Sequence, residues 1–296
     1  MLMPIILTSV GVLIILVFII YMNRPIKGGD PNQKYFELSG ESIEDFDNAI
    51  QEDPNNADLV FQRGVFKMDK ELYDEAIIDF EKTLEIDDTF LEAQMRIAGI
   101  YLLKGDFDKT IERYQKIVDE YEDDYDVFIN YASVLLEKYE TSKNMEDIDK
   151  SRGLISKAIE LDPKRSSGYS LLGDIAFNLK EYNDAVTSFS QAIEHAKKGA
   201  VELFVKRAKT YEQLGLIQEK EEDAKKAIEI MNNFVSHSAT NPYSYNNRAT
   251  IYSQLGLYDK AIEDLNKSAL LDPDNELFKS NLEKVIEKKN EKKTGE

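Results

Sequence analysis

The sequence predicts an all-α protein built from repeated helix-turn-helix units, and three observations support this prediction. Residues 242–275 contain two short stretches in which apolar residues recur at the spacing of an amphipathic helix. Gly256 separates the stretches and Pro273 follows the second, and both residue types end helices. Similar segments recur along most of the chain. Because two helices this short cannot bury their apolar stripes alone, each unit needs neighbouring units to fold.

Small residues mark the copies of this unit. The small residue of the first helix recurs at intervals of 34 to 41 residues, at Gly64, Ala98, Ala132, Gly173, Ala208 and Ala249. The short residue early in the second helix recurs at Ala76, Thr110, Ser151, Ala185 and Ala261. A large residue follows it four positions later, at Phe80, Tyr114, Ile155, Phe189 and Leu265. The fifth copy departs from both patterns, with Lys220 and Ala224.

This order of small, aromatic and proline residues in a unit of about 34 residues resembles the tetratricopeptide repeat family. The resemblance covers residues 42 to 275, although the tryptophan usual in the family is absent. It implies a right-handed α-solenoid of about six repeats with capping helices. The expected segments are a half-repeat cap at 42–56, an array at 57–275 with repeats 57–90, 91–124, 125–163, 166–199, 201–234 and 242–275, and a capping helix with a polar tail at 276–296.

A continuous apolar run at residues 4–22 precedes the repeats and predicts one transmembrane helix within residues 1–23. As a helix, these residues span about 28 Å, close to the hydrocarbon thickness of a bilayer of about 30 Å. A cleaved signal peptide is the alternative. No basic residue precedes the run and no small-residue cleavage site follows it, so a retained anchor is favoured.

Basic residues predict the orientation of this anchor. Arg24, Lys27 and Lys34 follow the apolar run, whereas no basic side chain precedes it. Because positive residues stay on the cytoplasmic side, we expect a single-pass membrane protein with a cytoplasmic repeat domain. Residues 24–41 contain several Gly and Pro residues and are expected to be a flexible tether.

The charge of the chain narrows the classes of partner. The formal net charge is -19, with 31% charged residues. Nucleic acid is not an expected partner, since phosphate binding needs clustered Lys and Arg. A basic protein surface is easier to accommodate, although a charged surface also serves solubility. The chain has no cysteine, which excludes disulfides and thiolate chemistry.

No group of residues predicts catalysis or metal binding. His195 and His237 lie in different repeats, outside any nucleophile or metal motif, and are expected at the surface. The acidic cluster at residues 119–126 lacks the ligand spacing and glycine of a calcium loop, so a solvated turn is expected. We therefore expect no cofactor, no metal and no enzyme activity.

Two insertions lengthen the repeat period. One lies at residues 139–145, where it lengthens the helices of the third repeat or their turn, and the other lies at 233–241. Insertions in solenoids usually form surface loops and sometimes bind partners.

The first helix of each tetratricopeptide repeat lines a concave, peptide-binding face, so the resemblance implies the same face here. In the first three repeats this face would comprise Phe61, Gln62, Val65, Met68, Met95, Arg96, Leu102, Ile129, Asn130 and Leu136. In the last three it would comprise Asp174, Asn178, Lys206, Lys209, Asn246 and Asn247. The first set is mainly apolar and the second polar, which predicts an amphipathic peptide ligand. Alternatively, the apolar set packs on the amino-terminal capping helix or on a second copy of the chain.

The family's clamp for chaperone tails is not reproduced. It uses lysine, asparagine and arginine at fixed positions of three consecutive repeats. The matching positions of one window hold Met95, Gly99, Asn130, Ser167 and Leu171. Those of the other window hold Ser170, Asp174, Lys206, Tyr243 and Asn246. Binding of acidic chaperone tails is therefore not expected.

These observations predict a non-catalytic, membrane-anchored adaptor that recruits a protein or peptide partner to its groove. The alternative is a permanent structural subunit of a membrane complex, with the groove constitutively filled.

Overall fold

The computed structural model describes residues 42–196 and 200–294, and side chains up to residue 291. These stretches form fourteen α-helices and contain no strand. The predicted anchor at 4–22 and the tether at 24–41 lie outside the described residues. Among the helices of the described stretches, none has both the length and the apolar character needed to cross a membrane.

The chain divides into two compact units, and the first ends at Leu161. Its helices are α1 Ile43–Glu52, α2 Ala57–Asp69, α3 Tyr73–Ile86, α4 Leu91–Leu103, α5 Phe107–Glu120, α6 Tyr125–Ser142 and α7 Met145–Leu161.

The second unit begins at Asp162. Its helices are α8 Ser166–Asn178, α9 Tyr182–His195, α10 Val201–Gln213, α11 Ile217–His237, α12 Pro242–Gln254, α13 Tyr258–Leu271 and α14 Glu276–Thr294.

Helical hairpins form the first unit, and small residues allow the two helices of a hairpin to approach closely. A Cβ atom added to Gly64 of α2 would lie only 2.7 Å from the ring of Phe80 in α3. Phe80 is fully buried, and its ring lies 5.4 Å from that of Phe61. The pairs α4 with α5 and α6 with α7 pack in the same way along the chain. The short residue of the first helix is thus a packing requirement.

Helix α1 packs on α2 in the first unit. Ser42 and Asp45 form a capping box, in which the Ser42 amide donates to the Asp45 carboxylate at 2.8 Å. Phe46 is buried and its ring lies 5.7 Å from that of Phe66 in α2. This helix therefore covers one side of α2.

The second unit repeats the hairpin pattern in α8–α9, α10–α11 and α12–α13. Gly173 of α8 meets Phe189 of α9 as Gly64 meets Phe80, since an added Cβ would lie 2.5 Å from the ring. The last helix, α14, packs on α13 and buries Phe278 and Val285. Its buried side closes the end of the last repeat.

Both predicted insertions are partly helical in the structure. The first lengthens α6 to 18 residues and α7 to 17, and leaves a short turn at Lys143 with φ of 55°. The second extends α11 to 21 residues, ending at His237. The prediction of a surface loop from residue 233 is therefore wrong for residues 233–237. The reason is that Val235 continues the apolar side of α11 and is buried.

Three hairpins each contain an arginine whose side chain links three helices. Arg248 of α12 donates from Nε and Nη2 to both carboxylate oxygens of Asp264 in α13, each at 2.7 Å. Its Nη1 donates to Asn232 of the preceding helix α11 at 3.0 Å. Arg207 and Arg63 make the same paired contacts with Asp223 and Asp79. We call each of these groups an arginine clasp; the clasp of Arg207 supports the atypical fifth repeat.

Candidate protein-binding face

The first helix of each hairpin has one side that its second helix does not cover. The small residue faces the second helix, and the next residue is rotated by about 100° around the helix. We call the side that carries this next residue the inner face of each unit. In the first unit it is marked by Val65, Gly99 and Ser133, and in the second by Asp174, Lys209 and Thr250.

Two of the predicted groove residues belong to the core of the first unit. Phe61 and Met68 are buried in one apolar cluster with Phe80 and Ile97. They lie three residues before and four after Gly64, so the helix turns them to the same side as Gly64. The sequence prediction placed both on the binding face, but their side chains are not accessible to a ligand.

The central first helices of the first unit are buried on every side. All residues at 93–100 of α4 and at 127–136 of α6 are buried. Eight to ten consecutive helical residues point in every direction around the axis. The predicted residues that lie in these stretches are Met95, Arg96, Ile129, Asn130 and Leu136.

The described neighbours of these two helices lie on only part of their circumference. Within the first unit α4 packs chiefly against α3 and α5, and α6 packs chiefly against α5 and α7. The inner face of α4 and α6 is therefore withdrawn from solvent, and it holds the buried polar side chains of Arg96 and Asn130 beside apolar ones.

Half-buried residues form the accessible part of this face. Gln62 and Val65 of α2 and Leu102 of α4 retain partial exposure. The groove predicted from the sequence did not include Gly99 and Ser133, which lie in the middle of the face. Their signal was their position directly after the small residues Ala98 and Ala132.

Glu137 is a second residue that sequence reasoning missed. It lies one turn beyond Ser133 on α6, and its Oε2 is buried without a hydrogen-bond partner in the described structure. Burial raises the pKa of the Glu137 carboxyl, and the charge of Glu140 raises it further. The inner face thus carries an acidic group at its end that favours a hydrogen-bond donor.

The inner face of the second unit is polar, and some of its polar side chains form hydrogen bonds with each other. Lys206 of α10 donates from Nζ to Asp174 of α8 at 2.6 Å and to Ser170 at 3.4 Å. Burial raises the pKa of the Asp174 carboxyl, whereas the Lys206 ammonium opposes this shift. Two predicted ligand-binding residues therefore bind each other.

Other polar residues on the inner face of the second unit are more accessible to a ligand. Burial lowers the pKa of Lys209, a half-buried residue of α10. Asn246 is buried and accepts a hydrogen bond from Asn281 of α14 at 2.9 Å. Asn247 is exposed and Asn178 is half-buried. Lys209, Asn178 and Asn247 are thus the predicted residues that present polar groups at the surface.

The described residues contain no set of three or more His, Cys, Asp or Glu side chains placed to hold a metal ion. The His195 ring stacks on Tyr169 at 5.1 Å between centroids. His237 is exposed, with its Nδ1 2.7 Å from the Asn233 carbonyl oxygen. The Nδ1 atom of His237 also lies 3.3 Å from Oγ of its neighbour Ser236 at the exposed end of α11.

Comparison with protein families agrees with the helical hairpins. Tetratricopeptide repeat models match residues 92–124, 166–198 and 242–275. These three segments are tetratricopeptide repeats. They correspond to α4–α5, α8–α9 and α12–α13, so both units contain the motif.

Curated relatives with the same repeats include a chaperone organiser and an import receptor. The chain is 24% identical over 280 residues to Hsp70-Hsp90 organizing protein 3 of Arabidopsis thaliana, covering 90% of this chain and 46% of the relative. It is 26% identical over 197 residues to mitochondrial import receptor subunit TOM70 of Rattus norvegicus, covering 53% of this chain and 31% of the relative. The chain therefore spans less than half the length of these relatives.

Solved structures share the fold. A tetratricopeptide repeat protein from Parabacteroides merdae ATCC 43184 aligns with a TM-score of 0.57 and 15% identity, over 86% of this chain and 96% of that one. A chain of the APC/C hetero-tetramer Cut9-Hcn1 aligns with a TM-score of 0.52 and 17% identity, over 85% of this chain and 47% of that one. At these identities the likeness concerns the fold alone.

Proposed function

We propose that this protein is a non-catalytic adaptor whose inner faces bind a protein or peptide partner at a membrane. The observation that carries the proposal is the accessible apolar part of the inner face in the first unit, in a chain with repeats of a type used for protein binding. Val65 and Leu102 provide accessible apolar surface on this face. An apolar groove between short helices suits the apolar side of an amphipathic helix.

The second unit has a different proposed ligand chemistry. Lys209, Asn178 and Asn247 present donors and acceptors suited to main-chain or carboxylate groups. The net charge of -19 also favours a partner with basic surface, because long-range attraction speeds its association.

The relatives bear names of proteins that organise or receive other proteins, which supports an adaptor role. The chaperone-tail clamp of the family is not reproduced at the positions that hold Met95, Gly99 and Asn130. We therefore propose recruitment of a protein as the general function, without the acidic chaperone tail as ligand.

Residues 4–22 supply the proposed membrane attachment. This apolar run has the length of a bilayer-spanning helix, and Arg24 and Lys27 follow it. The distribution of basic residues favours a cytoplasmic repeat domain.

The test uses the full chain reconstituted in nanodiscs as bait. A Val65→Glu/Leu102→Glu variant places charge on the accessible part of the inner face. Ile78→Glu is the matched control, since Ile78 lies on the second helix α3 and is 67% exposed. Circular dichroism must show that all versions remain folded.

We expect at least one captured protein to be lost from the Val65→Glu/Leu102→Glu variant and retained by the wild type and by Ile78→Glu. Capture of the same set by all three would show that the inner face does not recruit a partner.

The second candidate function is a permanent structural subunit of a membrane complex, in which a partner constantly covers the half-buried apolar residues Val65 and Leu102. A permanent occupant copurifies in fixed proportion and does not exchange when labelled partner is added, whereas a recruited partner does exchange.

A further inference from the structure

Lys209 of α10 is a half-buried cation without a partner among the described residues of the second unit. Its ammonium forms no ion pair and no hydrogen bond with another described residue. Lys206, one turn earlier on the same helix, does have a partner, because its Nζ lies 2.6 Å from a carboxylate oxygen of Asp174. Partial burial of a cation costs free energy unless an anion compensates it. Lys209 is therefore placed to receive an anionic group from a ligand.

Four charged side chains lie near enough to Lys209 to change its pKa. Burial is the main cause that lowers this pKa, and the ammonium groups of Lys206 and Lys288 lower it further. Glu202 and Glu212 act in the opposite direction. The surroundings of Lys209 thus contain cations from two different helices, α10 and α14.

Two of these four charges are already compensated. Lys206 and Glu212 each have an ion-pair partner of opposite charge within the second unit. Lys288 of α14 is exposed and forms no ion pair with another described residue. Glu202, which lies two turns before Lys209 on α10, offsets part of the remaining positive charge. The two lysines Lys209 and Lys288 are the cations that remain available to a ligand.

Contacts between the first helices bring these groups to the inner face of the second unit. Ile251 of α12 packs with Val205 of α10 in one buried cluster. Asn281 of α14 donates a hydrogen bond to the side chain of Asn246 in α12 at 2.9 Å. Lys288 follows Asn281 by two helical turns and lies on the same side of α14. That side of α14 therefore faces α12.

Polar groups of α12 lie on the inner face between α10 and α14. Thr250 has in α12 the position that Lys209 has in α10, and its side chain is exposed. The Thr250 hydroxyl donates to the Asn246 carbonyl oxygen at 3.1 Å and is free to rotate toward a ligand. One turn further, Gln254 has a buried Oε1 atom without a hydrogen-bond partner in the described structure. A main-chain N–H of a bound peptide would satisfy such an acceptor.

We propose that Lys209 and Lys288, together with the Thr250 hydroxyl, bind a phosphate group carried by a peptide. A phosphorylated serine or threonine has a charge of about -1.5 to -2 and three acceptor oxygens. It matches two ammonium groups, each with three N–H donors. A carboxylate has a single charge, and within this face Asp174 supplies one to a single lysine, Lys206. The inference rests on the proposed function, because it names the group that the second unit receives from its partner.

The overall charge of the chain determines which residues should flank the phosphate. Because the net charge is -19, a peptide with many anionic groups is repelled and basic flanking residues are attracted. The probe is therefore a fluorescein-labelled peptide library with a central phosphoserine and flanking positions drawn from alanine, leucine and arginine. Matched libraries carry serine or glutamate at the central position.

Fluorescence anisotropy measures binding of these libraries to the full chain in phosphatidylcholine nanodiscs. The variants are Lys209→Gln and Lys288→Gln. The matched control is Lys225→Gln, which removes the same charge from an exposed residue of the second helix α11. Since Lys209 and Lys288 have no ion-pair partner among the described residues, their loss leaves no carboxylate unpaired. Circular dichroism must show that all versions remain folded.

We expect the phosphoserine library to bind about tenfold more tightly than the serine and glutamate libraries. Lys209→Gln is expected to weaken its binding by about tenfold and Lys288→Gln by about threefold, with less than about a twofold effect for Lys225→Gln. No preference for phosphoserine over serine would overturn the proposal, as would equal weakening by all three variants or none by Lys209→Gln. Equal binding of the glutamate library would show that the site takes a carboxylate, and the phosphate would be wrong.

Nuclear magnetic resonance of carbon-13-labelled lysine gives a second measurement that needs no library. The Cε chemical shift of Lys209 reports its protonation, and Lys209→Gln assigns the signal. Titration with O-phospho-L-serine is expected to raise the pKa of Lys209, because a bound anion stabilises the ammonium form. The Cε signal of Lys225 should not move. A pKa of Lys209 that is unchanged by the probe would contradict the proposal.

These experiments also separate the phosphate site from the proposed recruitment on the first unit. If the phosphoserine library requires Lys209 but no captured protein is lost from Val65→Glu/Leu102→Glu, recruitment on the first unit is wrong and the phosphate site stands. If a partner is lost from that variant while Lys209→Gln binds the library as the wild type does, the reverse holds.

Discussion

At the residue scale, a glycine packed against an aromatic ring determines how closely the two helices of a hairpin approach. Gly64 lies against Phe80, whereas Gly153 of α7 has no atom within 4 Å of an added Cβ. Gly64→Ala is therefore expected to destabilise the first unit by about 1–3 kcal/mol, because a methyl group is forced into the ring. Gly153→Ala should stabilise it by about 0.5–1 kcal/mol, because alanine has a higher helix propensity than glycine at an exposed helical position. Urea unfolding measures both, and equal effects would contradict this account.

Arginine clasps give a second prediction at this scale. Asp264 is 5% exposed, so Arg248→Ala leaves a buried carboxylate without its guanidinium. We expect a loss of about 2–3 kcal/mol, whereas Arg248→Ala/Asp264→Ala should lose less than the sum of the two single changes. A double-mutant cycle by urea unfolding measures the coupling, and additive losses would show that the clasp is not a unit.

Lys209 makes the stability of the second unit depend on pH. Burial lowers its folded pKa below the ordinary value of 10.5, so the folded state binds fewer protons than the unfolded state. At neutral pH the folded state bears the free-energy cost of burying the charged Lys209 ammonium. The free energy of unfolding therefore rises as the pH increases from the lowered pKa toward 10.5.

Lys209→Met removes this penalty. The variant is expected to be more stable than the wild type at pH 7, by at most about 1 kcal/mol, with a gain that vanishes toward pH 10.5. Thermal unfolding across pH 7 to 10 measures the difference. A constant difference across this range would indicate that charge is not its cause.

At the scale of the element, the sequence predicted which helices exist better than where they end. The small residues and Gly256 located the hairpins because close packing and helix ends demand particular residue types. The end of α11 was missed because Asn232 and Asn233 resemble a helix stop, yet Val235 is buried one turn later. Burial against a neighbour overrode the local preference of asparagine.

The last helix, α14, offers a test of capping at this scale. Val285 is buried against Tyr252 and Leu265, whereas its neighbour Ile286 is 40% exposed. Val285→Asp is expected to destabilise the last repeat by about 2–4 kcal/mol, because it buries a charge in the apolar end of the array. Ile286→Asp should change stability by less than about 0.5 kcal/mol. Limited proteolysis of residues 242–275 and thermal unfolding compare them, and equal sensitivity would mean that α14 is not a cap.

At the scale of the whole molecule, residue types predict a mainly apolar groove in the first unit and a polar groove in the second, but they do not predict which of these side chains are accessible. The burial of Met95, Ile129 and Leu136, and the pairing of Asp174 with Lys206, depend on neighbours from other parts of the chain. Residue patterns within one helix contain no information about such neighbours.

The net charge of the whole chain gives a prediction about which part of it binds a membrane. The chain has a net charge of -19 and is on average repelled by anionic lipid, so the proposed membrane attachment depends on the apolar residues 4–22. The full chain is expected to float with vesicles of phosphatidylcholine in a density gradient, and Leu13→Asp/Leu16→Asp to lose most of this association. Adding phosphatidylserine should not restore binding of the variant, because no basic surface compensates. Ile78→Glu, with one added charge on the repeats, is the control and should float as the wild type does. Flotation of the double variant with anionic vesicles would place the membrane-binding surface on the repeats instead.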